Sequence, residues 1–179
     1  MKKLTIKDKQ FTVSIPAVEI QKVVSNMADQ LNQDLRDKEV VFLAILNGSF
    51  MFAADLIKKI TFNCKISFLK LASYAGTSST GQIKQLIGLN ESLKGKTVVV
   101  LEDIVDTGTT LGSIIRQINS FEPEEMKIAT LLLKPEAYHG QHRIDYVGMK
   151  IPNRFIVGYG LDYDGYGRNL DSIYETISE

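Results

Sequence analysis

A chain of 179 residues, 44% hydrophobic and 23% charged, has the size and composition of one ordinary globular domain. Its 21 lysines and arginines balance its 21 aspartates and glutamates, which excludes a strong overall pull toward nucleic acid or an anionic membrane. No stretch approaches the ~20 apolar residues of a spanning helix, and Met1-Lys2-Lys3 leads into early charges unlike a secretory leader, so a cytoplasmic location is expected.

Ile20, Val23, Val24, Met27, Leu31 and Leu35 recur at helical spacing, so residues 16–36 read as an amphipathic helix with Pro16 in its first turn. Val40 to Leu46 (VVFLAIL) is a continuous apolar run between charge and Asn47-Gly48, as in a strand covered on both faces. Phe50 to Ile60 reads as a helix with Phe52, Leu56 and Ile60 on one side and Ser49 as its cap. Cys64, the single cysteine, can make no intrachain disulfide and is expected to be a buried, inert thiol. Lys65 to Leu71 alternates like a second strand, and the polar, glycine-bearing residues 73–84 form a loop or flexible hairpin. Thr97 to Leu101 is another buried strand, Leu111, Ile114, Ile115 and Ile118 mark a helix, and Ile128 to Leu133 a further strand. His139 and His142 share a polar loop far from Cys64, which makes a poor zinc set. Beyond Pro135 the pattern breaks into a glycine- and tyrosine-rich tail with a short strand at Phe155 to Val157.

Strands alternating with helices predict an α/β fold, a doubly wound and mainly parallel sheet flanked by helices. Residues 16–134 would be its core, and residues 1–15 and 135–179 a small hood over one end. In such sheets ligands bind beyond the carboxyl ends of the strands.

The richest chemistry follows Val98 to Leu101: Glu102, Asp103, Asp106, Thr107, Gly108, Thr109 and Thr110, then a helix. Consecutive strand-end residues point opposite ways, and two buried carboxylates without partners would be costly, so this pair should meet a ligand, water or a cation. Carboxylates accept hydrogen bonds from sugar hydroxyls. Thr-Gly-Thr-Thr offers hydroxyls and free N–H groups at a helix N-terminus, where phosphate is favoured. Ordinary helix capping by Asp106 and the threonines is the competing reading. No G-x-x-x-x-G-K-[ST] occurs, the glycines near 158–167 lack the dinucleotide-binding spacing, and Asp162-Tyr163-Asp164-Gly165 lacks the terminal Glu of a calcium loop.

The stretch Glu102 to Thr110 resembles the phosphoribosyl-pyrophosphate (PRPP) loop of type I phosphoribosyltransferases. Three further segments are similar to the hypoxanthine, or hypoxanthine–guanine, branch of that family. They are Leu46-Asn47-Gly48-Ser49, Ser73-Tyr74 with Ser79-Thr80-Gly81, and Phe155 to Tyr163 with Arg168. They stand in order and at family spacing between residues 10 and 172.

The resemblance implies a purine-salvage enzyme that turns hypoxanthine or guanine plus PRPP into IMP or GMP plus pyrophosphate, with Mg²⁺ at the leaving group. It implies that Glu102 and Asp103 hold the ribose hydroxyls, that Thr107, Gly108, Thr109 and Thr110 bind the 5′-phosphate, and that Asp106 is the general base or acid at purine N7. Asn47 and Gly48 would bind pyrophosphate through backbone N–H groups, with a non-proline cis peptide before Asn47. Many members of that family carry lysine where this chain has Asn47, a departure that removes one positive charge from the pyrophosphate side and leaves the backbone binding unaffected. Ser73, Tyr74 and Arg168 would also reach pyrophosphate, and residues 73–84 would close over the reaction. Lys134 would donate to the purine 6-oxo group, Phe155 stack on the base, and the Ile156 main chain read its edge. Asp162, with Glu102 and Asp103, would face the metal. A homodimer or homotetramer is the implied assembly. Two alternatives stand beside this reading: an RNA-binding regulator on the same fold, which would need a basic face, and a relative acting on another base.

Overall fold

The computed structural model describes residues 3–72, 84–87, 89 and 91–177. A hairpin of β1 (Leu4–Ile6) and β2 (Lys9–Ile15) opens the chain, turning at Lys7 with φ 52°. Pro16 follows in extended conformation as the N-cap, and α1 (Ala17–Leu35) starts directly after it, since a residue without an N–H loses nothing there. Its buried stripe is Ile20, Val24, Met27, Ala28, Leu31 and Leu35. The chain continues through β3 (Val40–Leu46), α2 (Phe50–Ile57), β4 (Cys64–Ala72) and β5 (Lys84–Ile87). Next come β6 (Thr97–Val105), α3 (Thr109–Asn119), β7 (Glu125–Leu133), β8 (Tyr146–Lys150), β9 (Ile156–Val157) and β10 (Ile173–Thr176).

The larger sheet has the order β5-β4-β3-β6-β7-β8. Its neighbours from β4 to β8 run parallel, and β5 is the antiparallel edge. Strand alternation divides its side chains between two faces. Phe42, Ala44, Val99, Leu101 and Leu131 pack with α1 and α2, whereas Val41, Leu43, Val98 and Val100 pack with Ile114 and Ile118 of α3. Helices therefore cover both faces, as the unbroken apolar strands require. After β3 the chain steps one way to β4, and β6 returns on the other side of β3. That reversal opens the crevice where doubly wound sheets bind ligands.

The smaller sheet, β1-β2-β10-β9, joins both ends of the chain and buries Ile6, Phe11 and Val157. This is the expected hood, with one difference. Tyr146–Lys150 does not join it but adds a parallel strand beside β7, so the tail extends the core sheet before building the hood.

Other details depart from the sequence reading. The second helix stops at Ile57, with turns through Lys59 and Ile60. Ser49 is its N-cap position without a side-chain cap, because its hydroxyl donates to the Ile45 carbonyl at 2.6 Å. Cys64 begins β4 only half-buried, and that burial still pushes its thiol up.

Phe42 is fully buried and stacks on Phe62 at 6.4 Å between ring centroids. Phe42→Ala is expected to cost about 3–5 kcal/mol in urea unfolding. Phe121→Ala, on a half-exposed ring, should cost under about 1 kcal/mol. Equal losses at both positions would refute this placement of the core.

Candidate active site

The carboxyl ends of β3, β6 and β7 lie side by side, and each carries polar residues toward the crevice. Strand β6 runs farther than its apolar residues alone indicate, to Val105. Glu102 and Asp103 therefore belong to the strand and not to the loop behind it, because ladder pairing with β7 continues through Val105↔Leu133. Glu102 is buried at 7% exposure, and that burial pushes its carboxyl well above the usual range. Repulsion by Asp103 and a hydrogen bond with it add to the rise. Asp103 lies on the crevice floor, where burial lifts it to about 6. The N–H of Ile104, donating at 2.9 Å, and the nearby Arg168 oppose that rise, and Asp162 adds to it.

The crevice closes at this point by means of two glycines. The Leu46–Asn47 peptide is cis, and Gly48 follows it. A Cβ on Gly48 would overlap the Asp103 carboxylate. Gly160, at φ +100°, leans on the Gly48 carbonyl and likewise has no room for a side chain. Gly160, Gly48 and Asp103 thus stack directly, bringing the hood onto the core. Arg168 fastens the outer end, donating to the Gly160 carbonyl at 2.8 Å and pairing with Asp162 at 2.6 Å. Asp162 also accepts from the Gly165 N–H at 2.7 Å. Arg168 and Asp162, expected to face pyrophosphate and metal separately, here face each other.

On the other side of β6, Asp106 does not cap α3; the cap position is Gly108, at φ 87°. Asp106 instead pairs with Lys134 at 2.9 Å, where the lysine is buried and the aspartate half-exposed. Thr107 and Thr109 share a hydroxyl contact of 3.2 Å, and Thr110 is exposed in the first turn of α3. Glu102, Asp106, Thr107, Gly108, Thr110 and Leu111 are among the residues that line a cavity of about 220 Å³. Phe155, just before β9, is 46% exposed and meets Tyr163 edge-on at 5.6 Å. Ile156 packs at the margin of the core. The Asn47 side chain is exposed. Ser73 and Tyr74 lie outside the described residues.

Sequence reading passed over Tyr159. It is buried, holds φ 49° between two positive-φ glycines, and donates its hydroxyl to Asp55 of α2 at 2.7 Å. Burial works to raise the Asp55 carboxyl, but hydrogen bonds from Lys58, Tyr159 and Gln21 outweigh it and hold the group low. A tyrosine flanked by glycines in an otherwise apolar stretch is the one sequence signal of this peg.

The profile of the phosphoribosyl transferase domain matches residues 16–164. A hypoxanthine-guanine phosphoribosyltransferase of Staphylococcus epidermidis is 44% identical over 156 residues, 87% of either chain, and that of Staphylococcus aureus is 42% identical over the same span. A crystal structure of the Bacillus anthracis hypoxanthine-guanine phosphoribosyltransferase superposes with a TM-score of 0.86 at 38% identity, covering 93% of this chain and 97% of that one. A Staphylococcus aureus hypoxanthine phosphoribosyltransferase gives 0.87 at 40% identity, covering 93% and 91%.

Because Glu102 and Asp103 are both raised, the folded protein holds protons that the unfolded chain releases. Their contribution to stability is present below the ordinary carboxylate pKa and is lost as pH rises, for Asp103 through about 6. At about 1.4 kcal/mol per pKa unit the Asp103 share is at most about 3 kcal/mol, less where crevice water screens it. Asp103→Asn, which keeps an acceptor for the Ile104 N–H, should melt higher than the native protein at about pH 7.5 and show a flatter melting profile between about pH 4 and 6. A lower melting temperature at neutral pH would refute the buried-charge account.

Proposed function

The chain belongs to the hypoxanthine-guanine phosphoribosyltransferases and performs phosphoribosyl transfer in purine salvage, and we propose that the end of β6 and the Lys134–Asp106 pair carry that reaction. In this transfer the base displaces pyrophosphate from C1 of PRPP: a C–N bond forms, the C–O bond to pyrophosphate breaks, and hypoxanthine becomes IMP. The Lys134–Asp106 contact is the single observation that carries the assignment of roles. On a 6-oxopurine the 6-oxo acceptor and N7 are neighbours on one edge of the ring. A donor and an acceptor 2.9 Å apart are matched to that edge. On binding, Lys134 turns its ammonium to the 6-oxo group, and Asp106 is left free to hold or take the N7 proton. A 6-amino group would set donor against donor, so adenine is disfavoured.

The remaining roles are proposed on the same footing. Glu102 and Asp103 accept from the ribose hydroxyls, which adds donors to a buried pair otherwise held by the Ile104 N–H and by each other. Thr107, Gly108, Thr109 and Thr110 receive the 5′-phosphate with the N–H groups of the first turn of α3, which lack partners within the helix. Asn47 and Gly48 present main-chain N–H groups to pyrophosphate, with Arg168 on the opposite side; Ser73 and Tyr74 are assigned there by family resemblance alone. Phe155 offers its exposed ring to the base, with the Ile156 main chain at the base edge. The donor set fits Mg²⁺: Glu102 and Asp103 are adjacent oxygen ligands, and this ion characteristically takes one or two carboxylates and completes its shell from substrate and water. When bound it supplies positive charge to the pyrophosphate leaving group. Asp162 would join it only by releasing Arg168. A homodimer or homotetramer in the cytoplasm is proposed from the family resemblance. Among the described residues no helix is long and apolar enough to cross a membrane.

With PRPP and Mg²⁺, purified protein is expected to form IMP from hypoxanthine and GMP from guanine, and to leave adenine and uracil unreacted. Turnover of uracil alone, or of no base, would sink the assignment. Asp106→Asn should lower kcat by on the order of 10²–10⁴ in steady-state assays while PRPP binding persists. Normal turnover with lost PRPP binding would instead make Asp106 a ligand for the sugar phosphate.

A further inference from the structure

Gly108 needs more than its own φ of 87° to be held in place, and the neighbouring segment after Lys134 provides the hold. That segment turns tightly, with the N–H groups of Ala137 and Tyr138 both donating to the Lys134 carbonyl, at 3.2 and 3.0 Å. It is joined to the end of β6 by Lys134 N–H to the Val105 carbonyl at 3.0 Å and by His139 N–H to the Thr107 carbonyl at 3.4 Å. Between those two bonds stands the ring of Tyr138. One part of it packs into the apolar cluster of Val105, Leu111, Ile115, Ile128 and Leu133. Its edge meets Gly108 so closely that a Cβ built there would lie 2.6 Å from a ring carbon. Gly140 folds over the same edge, where a Cβ would again come within 2.6 Å. The hydroxyl then donates to the His142 carbonyl at 2.5 Å and closes the turn around the ring.

We propose that Tyr138 is a positioning residue for the phosphate loop, its ring being the platform that sets Gly108 and thereby aims the first-turn N–H groups of Thr109, which meets only the Thr107 hydroxyl at 3.4 Å, and Thr110. This rests on the reading that Thr107 to Thr110 hold the 5′-phosphate. The physical argument is one of rigidity. The first-turn N–H groups of a helix have no partners within it, so their value to an anion depends on where the cap residue holds them. A glycine cap is the least constrained residue in the chain, and free movement there would disperse the donors. A rigid aromatic surface, anchored in the core under α3 and wrapped by Gly140, removes that freedom at little entropic cost. The ring, rather than the hydroxyl, is what touches Gly108. Tyr138 also stands four residues after Lys134, so the segment reading the base braces the loop reading the phosphate.

The test is steady-state kinetics with PRPP and hypoxanthine varied separately. Tyr138→Leu should raise KM for PRPP about tenfold, with kcat and KM for hypoxanthine within about twofold of native. Tyr138→Phe keeps the platform and should stay within about threefold of native in KM for PRPP. Ile115→Val, which trims the same apolar cluster without touching Gly108, should lower the melting temperature and leave KM for PRPP unchanged. Gly140→Ala carries the test even if Tyr138→Leu fails to fold: its methyl group presses on the ring and should raise KM for PRPP. In the Tyr138→Leu background, where the clash is gone, the same methyl should add nothing. The proposal is overturned if Tyr138→Leu and Gly140→Ala leave KM for PRPP at the native value, or if Tyr138→Phe is as impaired as Tyr138→Leu. Thr110→Val separates the two levels of the argument. If it raises KM for PRPP and the Tyr138 and Gly140 variants do not, only the role of Tyr138 falls. If none of the three raises it, the phosphate-loop reading falls as well.

Discussion

Glu102 and Asp103 are neighbours in the same strand, in the middle of a sheet covered by helices on both faces. Taking two carboxylates out of water in such a place is costly unless each finds donors or a cation. Both respond by moving up in pKa through burial; backbone N–H groups and Arg168 restrain the rise of Asp103, whereas Asp103 itself adds to that of Glu102. The surrounding structure concentrates its rigidity around that cost. Strands β3 and β7 hold β6 from either side, apolar side chains fill both faces below, and the pair has no freedom to turn outward. A pair held this firmly suits the proposed role of receiving sugar hydroxyls, since the protein has already met the cost of orienting it.

Two arms extend from this point, and each meets it through a glycine. On one side Gly160 rests on Gly48, which rests on Asp103, so the hood reaches the core with nothing but backbone between them. The Tyr159–Asp55 bond pegs the hood turn to α2, the helix that begins just after Gly48. On the other side Lys134 ties β7 to Asp106, and Gly108 rests on Tyr138. The side proposed for the leaving group and the side proposed for base and phosphate thus refer to the same strand. A displacement of β6 would be felt at both ends of PRPP.

Much of this was legible in the amino-acid order. VVFLAIL and TVVVL announce strands buried on both faces because apolar residues fill every position, and the stripe from Ile20 to Leu35 announces the helix above them. The acidic pair stands out because two carboxylates directly after an apolar strand are costly to bury without donors or a cation, and capping alone would account only for Asp106 and Thr107 to Thr110. The extent of β6 was not legible: Glu102 and Asp103 have low strand preference, and only pairing with Thr130 to Leu133 keeps them in the ladder. Tyr146 to Lys150 contains a glycine and a lysine and reads weakly as a strand, and its place beside β7 is a tertiary fact. The Asp162–Arg168 and Lys134–Asp106 pairs were also hidden. Each residue had been given a ligand, and sequence spacing does not reveal that side chains 6 or 28 positions apart meet each other first.

Those pairings bear on the charge of the site. Glu102, Asp103, Asp106 and Asp162 stand against Lys134 and Arg168, four carboxylates to two cations, and both cations are already engaged by carboxylates. Asn47 adds no charge to the site. The raised pKa of Glu102 works to lessen the imbalance without reversing it. A substrate as anionic as PRPP would therefore be repelled by the side chains alone. Two features offset this within the chain: the backbone N–H groups at Gly48 and at the start of α3, which attract anions without carrying net charge, and the readiness of Glu102 and Asp103 to accept a cation or hydroxyl donors. Affinity in this site is consequently a property of the assembled set. On the roles proposed for them, the carboxylates that would repel the phosphates on their own become, once paired with sugar hydroxyls and a divalent ion, the surface on which the phosphates are held.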